Sequence, residues 1–149
     1  MDAGKKFEKQ FRGCIPSSVY HYRLKDDMSG FAGINNPCDY FIYTYPHLHL
    51  FELKTHKGKS IPFSALTQGQ IIGMHKAKKF NGIKAGFIFN FRDLAETYYV
   101  DIDTFMDFYT TTDRKSVPVA FCKEEGVVVE QTLVRVNYRY NIEKLLKEI

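Results

Sequence analysis

Acidic and basic side chains stand at the ends of two apolar runs in the segment NPCDYFIYTYPHLHLFELKT, residues 36–55. Asp39 begins the first run, and Glu52 and Lys54 lie near the end of the second. Tyr45-Pro46, between the runs, is a turn signal, so the segment is predicted to form a β-hairpin. Carboxylates gathered at one end of a hairpin are the ligands that a hard divalent cation such as Mg²⁺ prefers.

The facing of the two acids depends on the register of this hairpin. A four-residue loop over Thr44 to His47 places Tyr43 opposite Leu48, and counting outward sets Asp39 opposite Glu52, with Cβ atoms roughly 5 Å apart. Facing carboxylates repel unless something neutralises them. Two interpretations stay open: a solvated hairpin end in which Lys54, on the same face, is the counter-ion, or a site that binds Mg²⁺ together with waters and phosphate oxygens.

The elements that must position these residues follow from hydrophobic periodicity and turn signals. Their order predicts an α/β fold in one domain, residues 1–149, with a mixed central β-sheet flanked by helices. The predicted elements are an amphipathic helix through Phe7, Phe11, Cys14 and Ile15; a strand at Val19 to Arg23; a loop from Leu24 to Pro37; the hairpin; a helix from Thr67 to Phe80; strands at Lys84 to Phe91 and Thr97 to Ile102; a helix capped by Asp103; a short helix starting at Ser116 to Pro118; an extended stretch from Val127 to Tyr140; and a last helix capped by Asn141.

Composition restricts the class of protein. The chain has 149 residues, 44% of them hydrophobic, and a net charge of +4, which suits a globular protein and is compatible with a polyanionic partner. Its three cysteines form no C-x-x-C pair, so we expect neither a disulfide framework nor a cysteine zinc site. No apolar run reaches the roughly 18 residues of a membrane span. We therefore expect a cytoplasmic protein without a membrane partner.

The ordered motifs resemble a known nuclease family. Pro37-Cys38-Asp39, a hairpin and then Glu52-Leu53-Lys54 resemble the PD-(D/E)xK core, and KGKSIPFSALTQGQIIGMHKAKKFNGIKAGFIFNF is similar to the RecU family of Holliday junction resolvases, above all to its phage and prophage members. The resemblance covers Gly4 to Phe108. It departs from the family in two places: Cys38 separates the proline from Asp39, and the segment before Asp39 is shorter than the basic stalk of cellular RecU.

The resemblance implies a restriction-endonuclease-like core and a metal-dependent endonuclease that resolves four-way DNA junctions as a homodimer. It implies Asp39, Glu52 and the Leu53 carbonyl as ligands of Mg²⁺, for which Mn²⁺ substitutes, with no other small-molecule cofactor. Lys54 would orient or activate the attacking water. Glu8 and Gln70 match further polar positions of the family's site. The host would be a bacterium, with the gene carried by a phage or prophage.

Several of these residues have competing explanations. Gln70 also forms a Thr67-x-x-Gln70 capping-box pattern, and Glu8 also fits a solvated helix face. His47 and His49 form an H-x-H pair without a third zinc ligand at a telling spacing, so strand polarity is the simpler interpretation. The predicted DNA-binding cations are Arg23, Lys25, Lys57, Lys59, His75 and Arg92.

Two other functions remain possible from the sequence. One is a PD-(D/E)xK nuclease with a different substrate, of the nicking, flap or restriction type. The other is a non-catalytic DNA-binding or scaffold protein, in which the carboxylates only end a hairpin.

Overall fold

The secondary structure follows the predicted order of helices and strands. A computed structural model describes residues 1–24 and 36–149, so most of the predicted loop from Leu24 to Pro37 lies outside it. The elements are α1 (Ala3–Arg12), β1 (Tyr20–Arg23), β2 (Tyr40–Thr44), β3 (His47–His56), β4 (Ser60–Pro62), a 3-10 turn (Phe63–Ala65), α2 (Gln68–Ala77), β5 (Ile83–Phe91), β6 (Glu96–Asp101), α3 (Ile102–Thr111), β7 (Ser116–Pro118), α4 (Val119–Glu125), β8 (Val127–Val128), β9 (Gln131–Val134), β10 (Asn137–Tyr140) and α5 (Ile142–Glu148).

Six strands form the central sheet, in the order β1-β2-β3-β5-β6-β8. β3 and β5 run parallel from Leu48↔Ile83 to His56↔Phe91, and the other neighbouring pairs in this sheet are antiparallel. A parallel pair needs a crossover, which β4 and α2 supply. The predicted mixed sheet flanked by helices is confirmed. Among the helices of the described ranges, none is long and apolar enough to span a membrane.

The two central strands bury side chains on both faces of the sheet. Leu50 and Phe87 belong to an apolar cluster covered by α2 and α3, whereas Phe51 and Ile88 belong to a second cluster covered by α1 and α5. A strand covered on both faces is apolar along nearly its whole length, which explains the weak alternation in both sequences. Glu52 interrupts this run at a position that is only 1% exposed.

Helix α1 is anchored on the second face of the sheet, as its amphipathic pattern predicts. Asp2 caps it, its side chain accepting a hydrogen bond of 2.8 Å from the Lys5 backbone N–H. Phe7 and Phe11 are buried, and the Phe11 ring packs edge-on against the ring of Phe51 with centroids 6.3 Å apart. The helix is therefore part of the core.

Two local predictions are wrong. Asp101, not Asp103, caps α3: β6 runs directly into the helix, so the still-extended Asp101 accepts a hydrogen bond from the Asp103 N–H. Residues 116–118 form strand β7, with Val117 paired to Ile61 of β4, and the helix starts only at Val119. The residue before a proline avoids the helical region, which favours the extended form here.

The C-terminal part follows the prediction of an extended stretch and a last helix. β8 extends the central sheet, whereas β9 and β10 form a separate two-stranded hairpin that packs on α1. Asn141 caps α5, its side chain accepting a hydrogen bond of 3.0 Å from the Lys144 N–H.

Candidate active site

The β2–β3 hairpin has the register that the turn predicted. Tyr43 pairs with Leu48 and Tyr40 with Phe51, which is the last pair of the ladder; Asp39 and Glu52 follow this pair on the two strands, and their side chains interact. The Asp39 N–H donates a hydrogen bond of 3.0 Å to the carbonyl of Phe51, the residue already paired with Tyr40, so the regular ladder ends at Tyr40 and the backbone is irregular at Asp39. Pairing also includes Thr44↔His47, so the loop proper is shorter than four residues. We call Asp39 and Glu52 the carboxylate pair.

Asp39 is half-buried and held by the backbone of the neighbouring strand. Its Oδ2 accepts a hydrogen bond of 2.8 Å from the Leu53 N–H. Burial raises the pKa of the Asp39 carboxyl, and the Leu53 N–H opposes this shift. This hydrogen bond fixes the orientation of one Asp39 oxygen, and the Asp39 carboxyl also shares a side-chain hydrogen bond with Glu52.

Glu52 is buried with one oxygen that has no partner. Its Oε2 lies 3.3 Å from Lys54 Nζ, but its Oε1 has no hydrogen-bond partner among the described residues. Burial, followed by the charge of Asp39, raises the pKa of Glu52 to about 8. Simultaneous ionisation of the two carboxyl groups is therefore disfavoured, because two neighbouring anions in a buried site repel each other.

These features fit a hard divalent cation. The donors are carboxylate oxygens, and the unpartnered Glu52 Oε1 is the acceptor that a cation would satisfy. Within the described residues no group of three or more His, Cys, Asp or Glu side chains gathers in one place, so the carboxylate share is two. Mg²⁺ commonly binds through one or two carboxylates and keeps several waters, which matches this set. The Leu53 carbonyl as a third protein ligand stays a prediction.

Lys54 lies on the face of the sheet that carries the carboxylate pair. Its side chain is 22% exposed and its ammonium group reaches Glu52. The predicted counter-ion contact is thus present, and the same position would allow Lys54 to donate a hydrogen bond to a bound water or phosphate.

Glu8 reaches the same end of β2 from the opposite face of the sheet. Its Oε1 accepts hydrogen bonds from Arg23 Nε and, at 3.1 Å, from Tyr40 Oη. Its charge also raises the pKa of Asp39, so the two carboxylates lie close enough to interact. Sequence reasoning missed Tyr40 as a partner of Glu8, although strand parity places it on the face toward α1.

Gln70 lies in the first turn of α2, the helix that covers the face carrying the carboxylate pair. Its Oε1 is buried without a hydrogen-bond partner in the described part of the chain, and Thr67 makes no side-chain capping bond. The capping box suggested by the sequence is therefore not formed. The active-site role of Gln70 stays a prediction.

The predicted DNA-binding cations lie in different parts of the structure. Lys57, Lys59 and Arg92 are exposed just beyond the paired ends of β3 and β5. His75 instead lies 3.6 Å from Asp103 at the contact between α2 and α3. Arg23 is engaged by Glu8, as described above, and Lys25 lies outside the described residues.

Burial accounts for the structural roles of two further residues, Cys38 and His49. Cys38, beside Asp39, is 1% exposed, and its thiol donates a 3.3 Å hydrogen bond to the Tyr40 carbonyl. Burial, and then the charges of the carboxylate pair, raise the pKa of this thiol, so it packs as a small apolar group. His49 is equally buried, with its Nε2 2.8 Å from Thr44 Oγ1, and burial lowers the pKa of His49 to about 4.

Comparison with known proteins places the chain in a family. The model of the family "Recombination protein U" (RecU) matches residues 19–144, which begins after α1 and extends well beyond Phe108. The "SPbeta prophage-derived uncharacterized protein YotM" of Bacillus subtilis (strain 168) is 30% identical over 167 residues, covering 98% of this chain and 86% of that protein.

A solved structure supports the fold. Hjc of Archaeoglobus fulgidus, described as a Holliday junction resolvase from an archaeal hyperthermophile, matches with a TM-score of 0.52 at 13% identity, over 74% of this chain and 82% of that chain. At this identity the match bears on the fold alone, and it confirms the restriction-endonuclease-like core. The family match and the relative together show that the chain belongs to the RecU family.

Proposed function

We propose that this protein is a metal-dependent endonuclease that resolves four-way DNA junctions by hydrolysing phosphodiester bonds. The observation that carries the proposal is the carboxylate pair, Asp39 and Glu52, whose side chains interact beside Lys54 in a chain of the RecU family. Glu52 is a buried acid whose Oε1 has no partner in the described structure, a costly arrangement that a bound cation would relieve.

The residues of the chain have distinct roles in this proposal. Asp39 and Glu52 hold Mg²⁺, or Mn²⁺ in its place, with the Leu53 carbonyl as a further ligand. When bound, the cation neutralises charge on the scissile phosphate and makes water more acidic. The Leu53 N–H keeps Asp39 oriented, and Lys54 donates a hydrogen bond that positions the attacking water or the phosphate.

Two polar residues assist at the border of the site. Gln70 Oε1, buried without a partner in the described residues, accepts a hydrogen bond from an ordered water. Glu8, held by Arg23 and Tyr40, maintains negative charge near Asp39 and so favours cation binding.

The proposed reaction also suggests how many copies of the chain act together. Resolution of a junction requires cuts in two strands related by symmetry, so we propose a C2 homodimer with one site in each copy. Residues 1–149 act as a single nuclease domain. Light scattering coupled to size-exclusion chromatography measures the assembly, and a monomer at micromolar concentration would contradict it.

The deciding experiment compares substrates and variants in Mg²⁺. Wild-type protein should cut a synthetic four-way junction much faster than a linear duplex of the same sequence, and Asp39→Ala should lose this activity. Cleavage that is retained in Asp39→Ala removes the assignment of the site. Equal cutting of duplex and junction indicates a nicking or restriction-type nuclease, and DNA binding without cleavage or metal binding indicates a non-catalytic protein.

A further inference from the structure

Helix α1 and the β9–β10 hairpin border an open groove of about 1010 Å³. Cationic side chains reach it from two separate elements: Lys6 and Lys9 from α1, and Arg135 and Arg139 from the hairpin. We call this surface, defined by these four residues, the basic groove. It lies on the face of the sheet opposite the one that carries Glu52, so it is not the site already described.

The positive charge of the basic groove is not balanced within the protein. All four cations are exposed, and none of them forms an ion pair with any residue of the described ranges. No Asp or Glu of the described chain lines the groove. Other cations are paired, as Lys78 is with Asp101 and Lys144 with Glu130. Uncompensated charge of one sign along a concave surface attracts a polyanion.

The two sides of the basic groove are fixed relative to each other. Gln10 Nε2 donates a hydrogen bond of 3.2 Å to Asn137 Oδ1 across it, and the Tyr140 ring packs edge-on against Phe7 with centroids 5.4 Å apart. A side chain of β9 also accepts a hydrogen bond of 2.6 Å from Thr97 Oγ1, which ties the hairpin to the central sheet. Little ordering of backbone is then needed on binding, and a pre-organised surface binds more tightly than a mobile one.

The basic groove adjoins the proposed catalytic centre through one helix. α1 directs Glu8 toward Tyr40 and Asp39, and directs Lys6 and Lys9 into the groove. An α-helix with its side chains is about 10–12 Å across, and both α1 and the central sheet lie between the basic groove and the carboxylate pair, so the two surfaces are more than one helix diameter apart.

A smaller cavity of about 130 Å³ continues the basic groove toward the ends of the central strands. It shares Lys6 and Tyr138 with the groove and reaches Thr55 and Arg92. Thr55 follows Lys54 in the chain, so a polyanion lying in the groove would pass the strand ends beside the catalytic centre.

We propose that the basic groove binds the phosphate backbone of one duplex arm of the DNA substrate. The proposal rests on the proposed function for the identity of the polyanion. The groove supplies sequence-independent contacts to phosphates, which position the duplex while the carboxylate pair acts on the strand at the branch point.

The test measures binding of the full chain to a fluorescent four-way junction in EDTA, as a function of salt. Two double variants remove two cations each: Lys6→Gln with Lys9→Gln, and Arg135→Gln with Arg139→Gln. Loss of two phosphate contacts should reduce the slope of log affinity against log salt by about 1.8 and weaken binding about 30-fold at 0.15 M salt. Arg114→Gln with Lys115→Gln, an exposed pair on the other side of the sheet, is the charge-matched control and should bind as wild type does.

The outcomes separate this proposal from the proposed function. Wild-type affinity and salt slope in both groove variants would overturn the proposal that the basic groove binds DNA. An equal loss of affinity in the control pair would also overturn it, because that result would indicate an effect of net charge alone. If the wild type cuts junctions and the groove variants bind them normally, the nuclease stands and the groove fails. If the wild type cuts no DNA yet the groove variants lose binding, the groove stands and the nuclease fails. Lys6→Arg with Lys9→Arg should retain binding, which excludes misfolding of α1 as the cause of a loss.

Discussion

Replacing Glu52 with Gln should stabilise the metal-free protein while abolishing its nuclease activity. Glu52 is 1% exposed, and burial raises the pKa of its carboxyl from 4.5 to about 8. An acid whose pKa is higher in the folded state favours folding at low pH. That contribution is complete below pH 4.5 and is lost as the pH rises through the interval from 4.5 to 8, because the unfolded chain ionises first.

The size of the effect follows from the same two values. At about 1.36 kcal/mol for each pH unit above 4.5, the folded wild type loses roughly 3 kcal/mol of stability by pH 7 relative to acidic solution. Gln has no such ionisation in either state, but the variant also loses the contact of Glu52 with Lys54. We therefore expect Glu52→Gln to exceed the wild type by about 1–3 kcal/mol at pH 7.

Urea unfolding followed by far-UV circular dichroism, in EDTA at pH 5, 7 and 8.5, measures the difference. The advantage of Glu52→Gln should be small at pH 5 and grow toward pH 8.5, whereas the exposed-site control Glu124→Gln should track the wild type. Mg²⁺ should then stabilise the wild type and leave Glu52→Gln unchanged. Equal stability of Glu52→Gln and wild type at all three pH values would refute the view that Glu52 is buried at a cost.

Three further predictions concern other positions. Lys54→Ala should reduce junction cleavage at least 100-fold and change junction affinity by less than about threefold, since it removes a positioning donor; cleavage at the wild-type rate would contradict this. Burial lowers the pKa of His49 to about 4, so the wild type should lose stability as the pH falls from 6.5 toward 4, and in urea titrations His49→Gln should lose less. Gly86→Ala should destabilise by more than about 2 kcal/mol, because the new Cβ would lie 2.5 Å from the Val100 carbonyl oxygen, whereas Gly4→Ala meets only an ordinary contact of 3.4 Å and should be neutral or stabilising in thermal melts.

The carboxylate pair could be found from sequence because its geometry is local. Tyr45-Pro46 marked the turn, strand parity set the register, and together they brought Asp39 and Glu52 to the same end of the hairpin, where their side chains interact. The burial of Glu52 was not accessible in the same way. It depends on elements distant in sequence, such as α2 and α3, that pack over this face of the sheet, and no local pattern gives those contacts.

Long-range pairings explain the other differences between sequence and structure. Glu8 and Arg23 are fifteen positions apart and meet only because α1 and β1 pack at the same end of β2. The strand at 116–118 exists because β4 is available to pair with it. In both places the local sequence allowed more than one conformation, and tertiary contacts selected one.

Helix α1 connects the two proposed surfaces, although the family match begins at residue 19. Phe11 is fully buried in the cluster that includes Phe51, so the helix supports the core as well as carrying Glu8. Removing the helix would take away both functions at once, and the loss of fold would hide any loss of catalysis. Single changes of Glu8 and of the groove lysines are therefore the informative perturbations, because α1 keeps its buried phenylalanines while only one polar face is altered.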